Sequence, residues 1–328
     1  MELLIDASRP VVAIGECMLE LSRTGSTGGG RLGEDWKLGL GGDTFNTAIH
    51  LCRQGLPVRY LSALGQDPCS AEMLAAWQAE GLDTGLVLFH PRQVPGLYAI
   101  HTDAAGERSF SYWRSHSAVR SLFELPGVEA ALAAAAAAGL LYLSGITLSL
   151  FGPAQRARLV ELARRVRAQG GVVAFDANFR PAGWEDLRTE RAAVQAVAPH
   201  VSIALPTLED EQQLFGDASI DRIIERWSRS GAAEVIVKRG AAGCVVGVAS
   251  GQVVVPALAV EEVIDTTGAG DVFVATLAVG LIQGIQPVVA AGWANHAAAL
   301  AVTRRGTQSA FPSQADIEAF MKVKWPTG

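Results

Sequence analysis

Asp265-Thr266-Thr267-Gly268-Ala269-Gly270-Asp271 runs directly into residues 272–282, a stretch apolar on nearly every side. A glycine loop feeding a buried helix offers unpaired backbone N–H groups and the positive end of a helix dipole. The glycines let an anion come close, so the segment predicts a phosphate or other anion site. Asp271 in the first turn reads in two ways. It is either a cap that complements the dipole, or a carboxylate placed to take a proton from a hydroxyl while a phosphate arrives.

Upstream of this loop the chain alternates. Short apolar runs at 11–15, 140–143, 172–175, 203–205 and 235–237 are separated by helical stretches near 127–138, 153–169 and 207–229. Such alternation predicts parallel strands covered on both faces, an α/β doubly wound sheet. Ligands in these sheets bind beyond the carboxyl ends of the strands. Asp176-Ala177-Asn178-Phe179-Arg180-Pro181, Pro206-Thr207-Leu208-Glu209-Asp210 and Lys238-Arg239-Gly240-Ala241-Ala242-Gly243 follow three of the runs and are the places to look. Each by itself also reads as a plain loop and helix cap.

Two patches break the pattern. Residues 17–40 are rich in Ser, Thr and Gly. In residues 94–113, Leu97-Tyr98-Ala99-Ile100-His101 and Ser109-Phe110-Ser111-Tyr112-Trp113 flank the turn formers Asp103-Ala104-Ala105-Gly106. They predict a small β-sheet inserted into the main one.

Composition excludes several classes. With 328 residues, 49% hydrophobic and 18% charged, the chain carries enough apolar side chain for a large core and too little charge for disorder. A net charge of -6 with no basic run argues against nucleic acid. Cys17, Cys52, Cys69 and Cys244 form no C-x-x-C pair, which fits reduced thiols in a cytoplasmic protein. The first ten residues contain Glu2 and Asp6 and lack the basic start and apolar run of a signal peptide. Uncharged stretches at 130–155 and 272–303 exceed the ~20 residues that cross a bilayer. Both are interrupted, at Gly139, Ser144 and Pro153, and at Gln283, Gln286, Pro287, Asn295 and His296, so they predict buried helices and no membrane partner. Gly28, Gly30 and Gly33 match G-x-G-x-x-G, yet no strand precedes them, and dinucleotide binding is set aside. P-loop, zinc-hydrolase and serine-nucleophile motifs do not occur.

Taken with two further segments, the glycine loop resembles the C-terminal signature of the ribokinase/PfkB sugar kinases. Gly41-Gly42-Asp43-Thr44-Phe45-Asn46-Thr47-Ala48 is similar to that family's N-terminal G-G-x-x-x-N-x-A segment, and residues 295–306 to its last helix and loop. The resemblance extends from about Val11 to Pro312. It implies one ribokinase-like domain over 1–328, with a β lid built from about 17–40 and 94–115. It implies Asp271 as catalytic base, and Gly41, Gly42 and Asn46 at the sugar. Gly268, Ala269 and Gly270 would form the anion hole. Asn178, Lys238, Gly240, Gly243 and Asn295 would lie at ATP. The implied cofactors are ATP and Mg2+, with a monovalent cation as an optional addition. The family's magnesium-associated N-x-x-E appears here as Thr207-x-x-Asp210, which leaves Asp210 an indirect metal role.

The substrate is expected to be set by the lid. Tyr112-Trp113-Arg114 and Leu205-Pro206-Thr207-Leu208-Glu209-Asp210-Glu211 resemble the 2-keto-3-deoxygluconate kinase subgroup. There Arg114 would bind the carboxylate of a sugar acid bidentately, Tyr98 and Tyr112 would offer hydroxyls, and Arg180 would face sugar or phosphate. The opposing reading of Arg114 pairs it with a lid carboxylate such as Glu107. The expected activity is ATP-dependent phosphorylation of 2-keto-3-deoxygluconate at the 6-hydroxyl. A fructokinase of the same family and a non-catalytic sugar-acid sensor are the alternatives. A homo-oligomer through the lid, a dimer or higher, is expected.

Overall fold

The computed structural model describes residues 3–23, 35–102, 108–216, 219–249, 251–313 and 315–317. The glycine pattern at 28, 30 and 33, the turn at 103–106 and Glu107 lie outside the described residues. In chain order the strands are β1 (Val11–Ile14), β2 (Met18–Arg23), β3 (Trp36–Gly41), β4 (Val58–Leu64), β5 (Val87–Phe89), β6 (Leu97–Thr102), β7 (Arg108–Trp113), β8 (Leu140–Ser144), β9 (Val172–Asp176), β10 (Ile203–Leu205), β11 (Glu234–Lys238), β12 (Cys244–Val248) and β13 (Gly251–Val255). The helices are α1 (Asp43–Arg53), α2 (Pro68–Ala79), α3 (Val128–Ala135), α4 (Gly145–Ser149), α5 (Pro153–Ala168), α6 (Leu187–Val197), α7 (Leu208–Phe215), α8 (Ile220–Ser230), α9 (Ala269–Ile282) and α10 (Pro287–Ala301).

Among the described residues one sheet has nine strands in the order β13-β12-β11-β10-β9-β8-β1-β4-β5. Neighbours from β11 to β5 are parallel, while β12 and β13 run antiparallel at one edge. The apolar runs carry no alternation because both faces are covered. Side chains still separate by parity along each strand. Val12, Ile14, Leu141, Leu143, Val173 and Phe175 pack with α3, α5, α6 and α8. Val11, Ala13, Leu140, Tyr142, Val172 and Ala174 pack with α1, α2, α9 and α10. A slip of one residue in any strand would exchange its two sets, so the cores fix the register.

The helices follow from local chemistry. In α5, Pro153 pre-sets the first turn, and Leu159, Leu162, Ala163 and Val166 are buried at helical spacing. The uncharged stretch 272–303 resolves into α9 and α10, broken before Pro287, and α9 is buried along nearly its whole length. Among the described residues no helix is long and apolar enough to cross a membrane.

The second sheet has the order β3-β2-β6-β7, drawn from the two patches that broke the α/β pattern. Its register puts Met18, Glu20, Tyr98, Ile100, Phe110 and Tyr112 on one face, and Leu19, Leu21, Leu38, Leu40 and Trp113 on the other.

Trp227 shows how tightly one core is closed. It is buried beside Phe175, with ring centroids 5.8 Å apart, and its Nε1 donates to Glu211 at 2.9 Å. Trp227→Ala removes this packing and one partner of a buried carboxylate, at an expected cost of about 3–5 kcal/mol. Urea unfolding should show the midpoint falling with an unchanged slope. A loss under about 1 kcal/mol would mean that this core relaxes freely.

Candidate active site

Strands to one side of β1 follow as β4 and β5, and those to the other side as β8 to β11, so the winding direction reverses between β1 and β8. A crevice forms at such a reversal, beyond the carboxyl ends of the strands. Here it is a cavity of about 1390 Å3, walled by the small sheet, the residues after β9 and β11, and the start of α9. That is room for two small molecules side by side.

At its centre lies the glycine loop. Gly268 has a left-handed backbone (φ 78°), and a Cβ there would come within 2.7 Å of the Thr307 side chain. The Asp265 carboxylate accepts from the amides of Thr267 and Gly306, both at 2.9 Å, which ties the loop to the turn after α10. The chain then enters α9, where the Ala269 amide closes on the Thr266 carbonyl at 3.3 Å and the amides of Gly270 and Asp271 precede the first helical hydrogen bond, from Val272 to Gly268. Ala269, Gly270 and Asp271 all line it.

Asp271 is buried, and its Oδ2 accepts a 2.8 Å hydrogen bond from Asn46 Nδ2 in the first turn of α1. Helix-dipole reasoning predicts an ionised, weakly basic carboxylate. The structure corrects this. Burial first, then the nearby charges of Asp43 and Asp176, push the Asp271 carboxyl well above the ordinary value, and Asn46 and Lys238 only partly oppose them. Asp271 is thus a stronger base than its position on the helix implies.

Charged neighbours surround it. Lys238 Nζ reaches Asp176 Oδ1 at 2.6 Å. Asn178, in a left-handed conformation (φ 33°), donates to Asp43 Oδ2 at 3.3 Å. Asp43 also accepts from Ser144, and burial raises its carboxyl. Asp210 Oδ2 accepts from the Phe179 amide at 3.1 Å, so this carboxylate also shapes the turn that carries Arg180. Burial raises the Asp210 carboxyl, against the charges of Lys238 and Arg180. Among the described residues no group of three or more His, Cys, Asp or Glu could hold a metal. Asp176 and Asp210 on the cavity wall do suit Mg2+, which keeps most of its waters and takes one or two carboxylates alongside phosphate oxygens.

At the other end Arg114 reaches into the cavity, but its partner is Glu16, at 2.5 Å. Glu16 follows β1, and no sequence motif marked it. Tyr98 lines the cavity and has a partner that no motif marked. Burial keeps its phenol protonated, and its hydroxyl donates to Glu20 of the neighbouring strand, so that proton is not offered to a ligand. Tyr112 stays half exposed, with its ring beside Phe110 and Tyr98. Arg180 lines the cavity, and its Nη1 bonds the Phe179 carbonyl at 2.6 Å.

The cavity therefore gathers Gly42, Asn46, Tyr98, Tyr112, Arg114, Asn178, Arg180, Asp210, Lys238, Gly240, Gly243, Gly268, Ala269, Gly270, Asp271 and Asn295. Gly41 is the exception. The lining does not include it, and a Cβ there would fall 2.1 Å from the Tyr98 hydroxyl, a close approach that only glycine allows. The Asn295 amide is committed to the carbonyls of Val255 and Pro256, at 2.9 and 3.2 Å, and shapes the wall through them. Besides Glu16, the wall carries Arg120, which sequence reasoning passed over, and Asp43 and Asp176, which lie in segments it quoted without giving them a role. Asp176 ends an apolar run and was findable on that ground; Arg120 carries no local signal.

Comparison with known proteins agrees with this geometry. Residues 8–314 match the pfkB family carbohydrate kinases. The chain is 41% identical over 273 residues to the 2-dehydro-3-deoxygluconokinase of Dickeya dadantii, covering 81% of this chain and 86% of that one. Similarity to a fructokinase of Vibrio alginolyticus is weaker, 28% over 86% of this chain and 91% of that one. A solved Escherichia coli structure described as a ribokinase II in complex with ATP and Mg2+ superposes with a TM-score of 0.83 at 25% identity, over 96% of this chain and 99% of that one.

The raised carboxyl of Asp271 has a cost for stability that can be measured. A carboxyl whose folded pKa lies above its unfolded value stabilises the fold at low pH and loses that contribution as pH rises through the raised value. Asp271→Asn should therefore raise the thermal midpoint at pH 7.5, with the gain shrinking as pH falls toward the ordinary value of 3.8. A lower midpoint at pH 7.5 contradicts the electrostatic assignment.

Proposed function

The chain belongs to the pfkB family of carbohydrate kinases, and on that premise we propose that it transfers the γ-phosphoryl group of ATP to the 6-hydroxyl of 2-keto-3-deoxygluconate (2-dehydro-3-deoxygluconate). The observation that carries this reading is the buried Asp271 carboxylate at the first turn of α9, in one cavity with the arginines of the sugar end. The 41% identical relative with this activity supports the substrate.

Asn46 holds the Asp271 carboxylate, which accepts the proton of the 6-hydroxyl as the oxygen attacks phosphorus. The bond to the β-phosphate oxygen breaks, and ADP and the 6-phosphate leave. The amides at the start of α9 stabilise the moving negative charge, a role typically worth ~3 kcal/mol per donor. Such transfers depend on positioning and charge more than on base strength. Lys238 and the turn at Gly240–Gly243 lie on the nucleotide side. Mg2+, held by Asp176 and Asp210 with its waters, would neutralise charge on the phosphates when bound.

On this reading the chain is one kinase domain with the small sheet as its lid, and closure of that sheet excludes water. The exposed outer face of the lid, with Leu38 and Trp113 at 52% and 60% exposure, supports pairing between two copies as a dimer. Free cysteines and the need for ATP support the cytoplasm. A monovalent cation rests on family resemblance alone, and activity in potassium against tetramethylammonium salts decides it. A neutral ketose, as in the fructokinase reading, would leave the arginines of the sugar end without a carboxylate to meet. A sensor would have no use for a base beside an anion hole.

Asp271→Asn should cut kcat by about 10²–10⁴-fold with the fold intact; near-normal turnover refutes its role as base. Arg114→Ala should raise KM for the sugar acid far more than KM for ATP. An unchanged acid KM removes Arg114 from the acid site.

A further inference from the structure

Arg114 is not an unopposed cation. Its guanidinium lies 2.5 Å from the Glu16 carboxylate, and the two side chains are 19% and 3% exposed. A carboxylate binding to Arg114 alone would enter beside that second carboxylate, out of water, where repulsion is weakly screened. Arg114 Nε and Nη2 make no hydrogen bond among the described residues and are left to meet a ligand, but the two opposite charges sum to zero, and a further positive group is needed to favour an acid over a neutral sugar.

Arg120 supplies one. It lies in the 3-10 turn Ala118–Glu124 and lines the same cavity. Its Nε donates to the Arg114 carbonyl at 2.9 Å and its Nη1 to the Leu150 carbonyl at 3.1 Å. These acceptors are neutral, so they hold the guanidinium in place without cancelling its charge. Burial and the charge of Arg114 press the Arg120 pKa down, and Glu16 and Glu185 only partly oppose them, so an anion beside it is favoured. Arg114, Arg120 and Glu16 together carry one net positive charge, the complement of a monocarboxylate. Arg180 is less suited. It is exposed, its Nη1 turns back to a neighbouring carbonyl, and its charge acts on Asp210.

We propose that Arg120 is a specificity-determining residue whose guanidinium binds the substrate carboxylate, with Arg114 beside it at a charge set by Glu16. The inference rests on the sugar-acid kinase reading and adds to it a residue that no motif marks.

Steady-state kinetics with 2-keto-3-deoxygluconate and ATP test it. Arg120→Met should raise KM for the acid about 10- to 100-fold, the loss of one charged hydrogen-bonding partner, with kcat and KM for ATP within about twofold. Arg120→Lys, which keeps the charge, should restore part of the loss. Glu16→Gln should move the acid KM the other way, downward, and it serves also where Arg120→Met fails to fold. An acid KM within twofold of wild type in Arg120→Met overturns the proposal, as does a parallel rise in both KM values or a rise in the acid KM of Glu16→Gln. Wild-type protein that phosphorylates only neutral sugars refutes the acid reading as a whole. A wild-type acid kinase indifferent to Arg120 refutes this inference alone.

Discussion

The 2.8 Å hydrogen bond from Asn46 to Asp271 joins the first turn of α1 to the first turn of α9. These helices enter the same face of the large sheet from opposite ends of the chain. One holds the carboxylate and the other satisfies one of its oxygens. Without that donor, a carboxylate buried beside Asp43 and Asp176 would carry an uncompensated cost of several kcal/mol. The burial that makes the site costly also raises the basicity of Asp271, which suits the proton-accepting role proposed for it.

Around this point charge is arranged along the cavity. Carboxylates of Asp43, Asp176 and Asp210 line the cavity, with Lys238 as counter-charge to Asp176. Arg114, Arg120 and Arg180 lie toward the small sheet and the turn after β9. On the proposed function, the acid end of the substrate would meet the guanidinium groups and its distal hydroxyl would meet Asp271. The small sheet sorts its side chains accordingly. Tyr98, Phe110 and Tyr112 face the cavity, and Leu38 and Trp113 face away.

Much of this was legible in the residues. The apolar runs at 140–143 and 172–175 became β8 and β9 almost to the residue, because a strand buried on both faces needs no partner to declare itself. The loop at 265–271 declared a glycine turn feeding a buried helix, and Gly268 does adopt a backbone that favours glycine at the start of α9. What stayed hidden depends on distant pairing. Glu16 and Arg120 acquire meaning only when β1, the end of β7 and the turn after it meet at the cavity. The raised carboxyl of Asp271 stayed hidden because its neighbours Asp43 and Asp176 come from other strands and helices. The hydrogen bond from Tyr98 to Glu20 was hidden because a sequence cannot show which residue stands beside it in the sheet. The close approach of Gly41 to the Tyr98 hydroxyl was hidden for the same reason.

The measurement that bears most directly on this account is coupled ADP release by the purified protein with MgATP. The panel is 2-keto-3-deoxygluconate, 2-keto-3-deoxygalactonate, fructose and ribose at matched concentrations. The arrangement of a buried base, an anion loop and an arginine-lined acid end predicts turnover confined to the keto-deoxy acids. Preference for fructose or ribose would leave Asp271 and the fold in place and contradict the assignment of the arginines to a carboxylate.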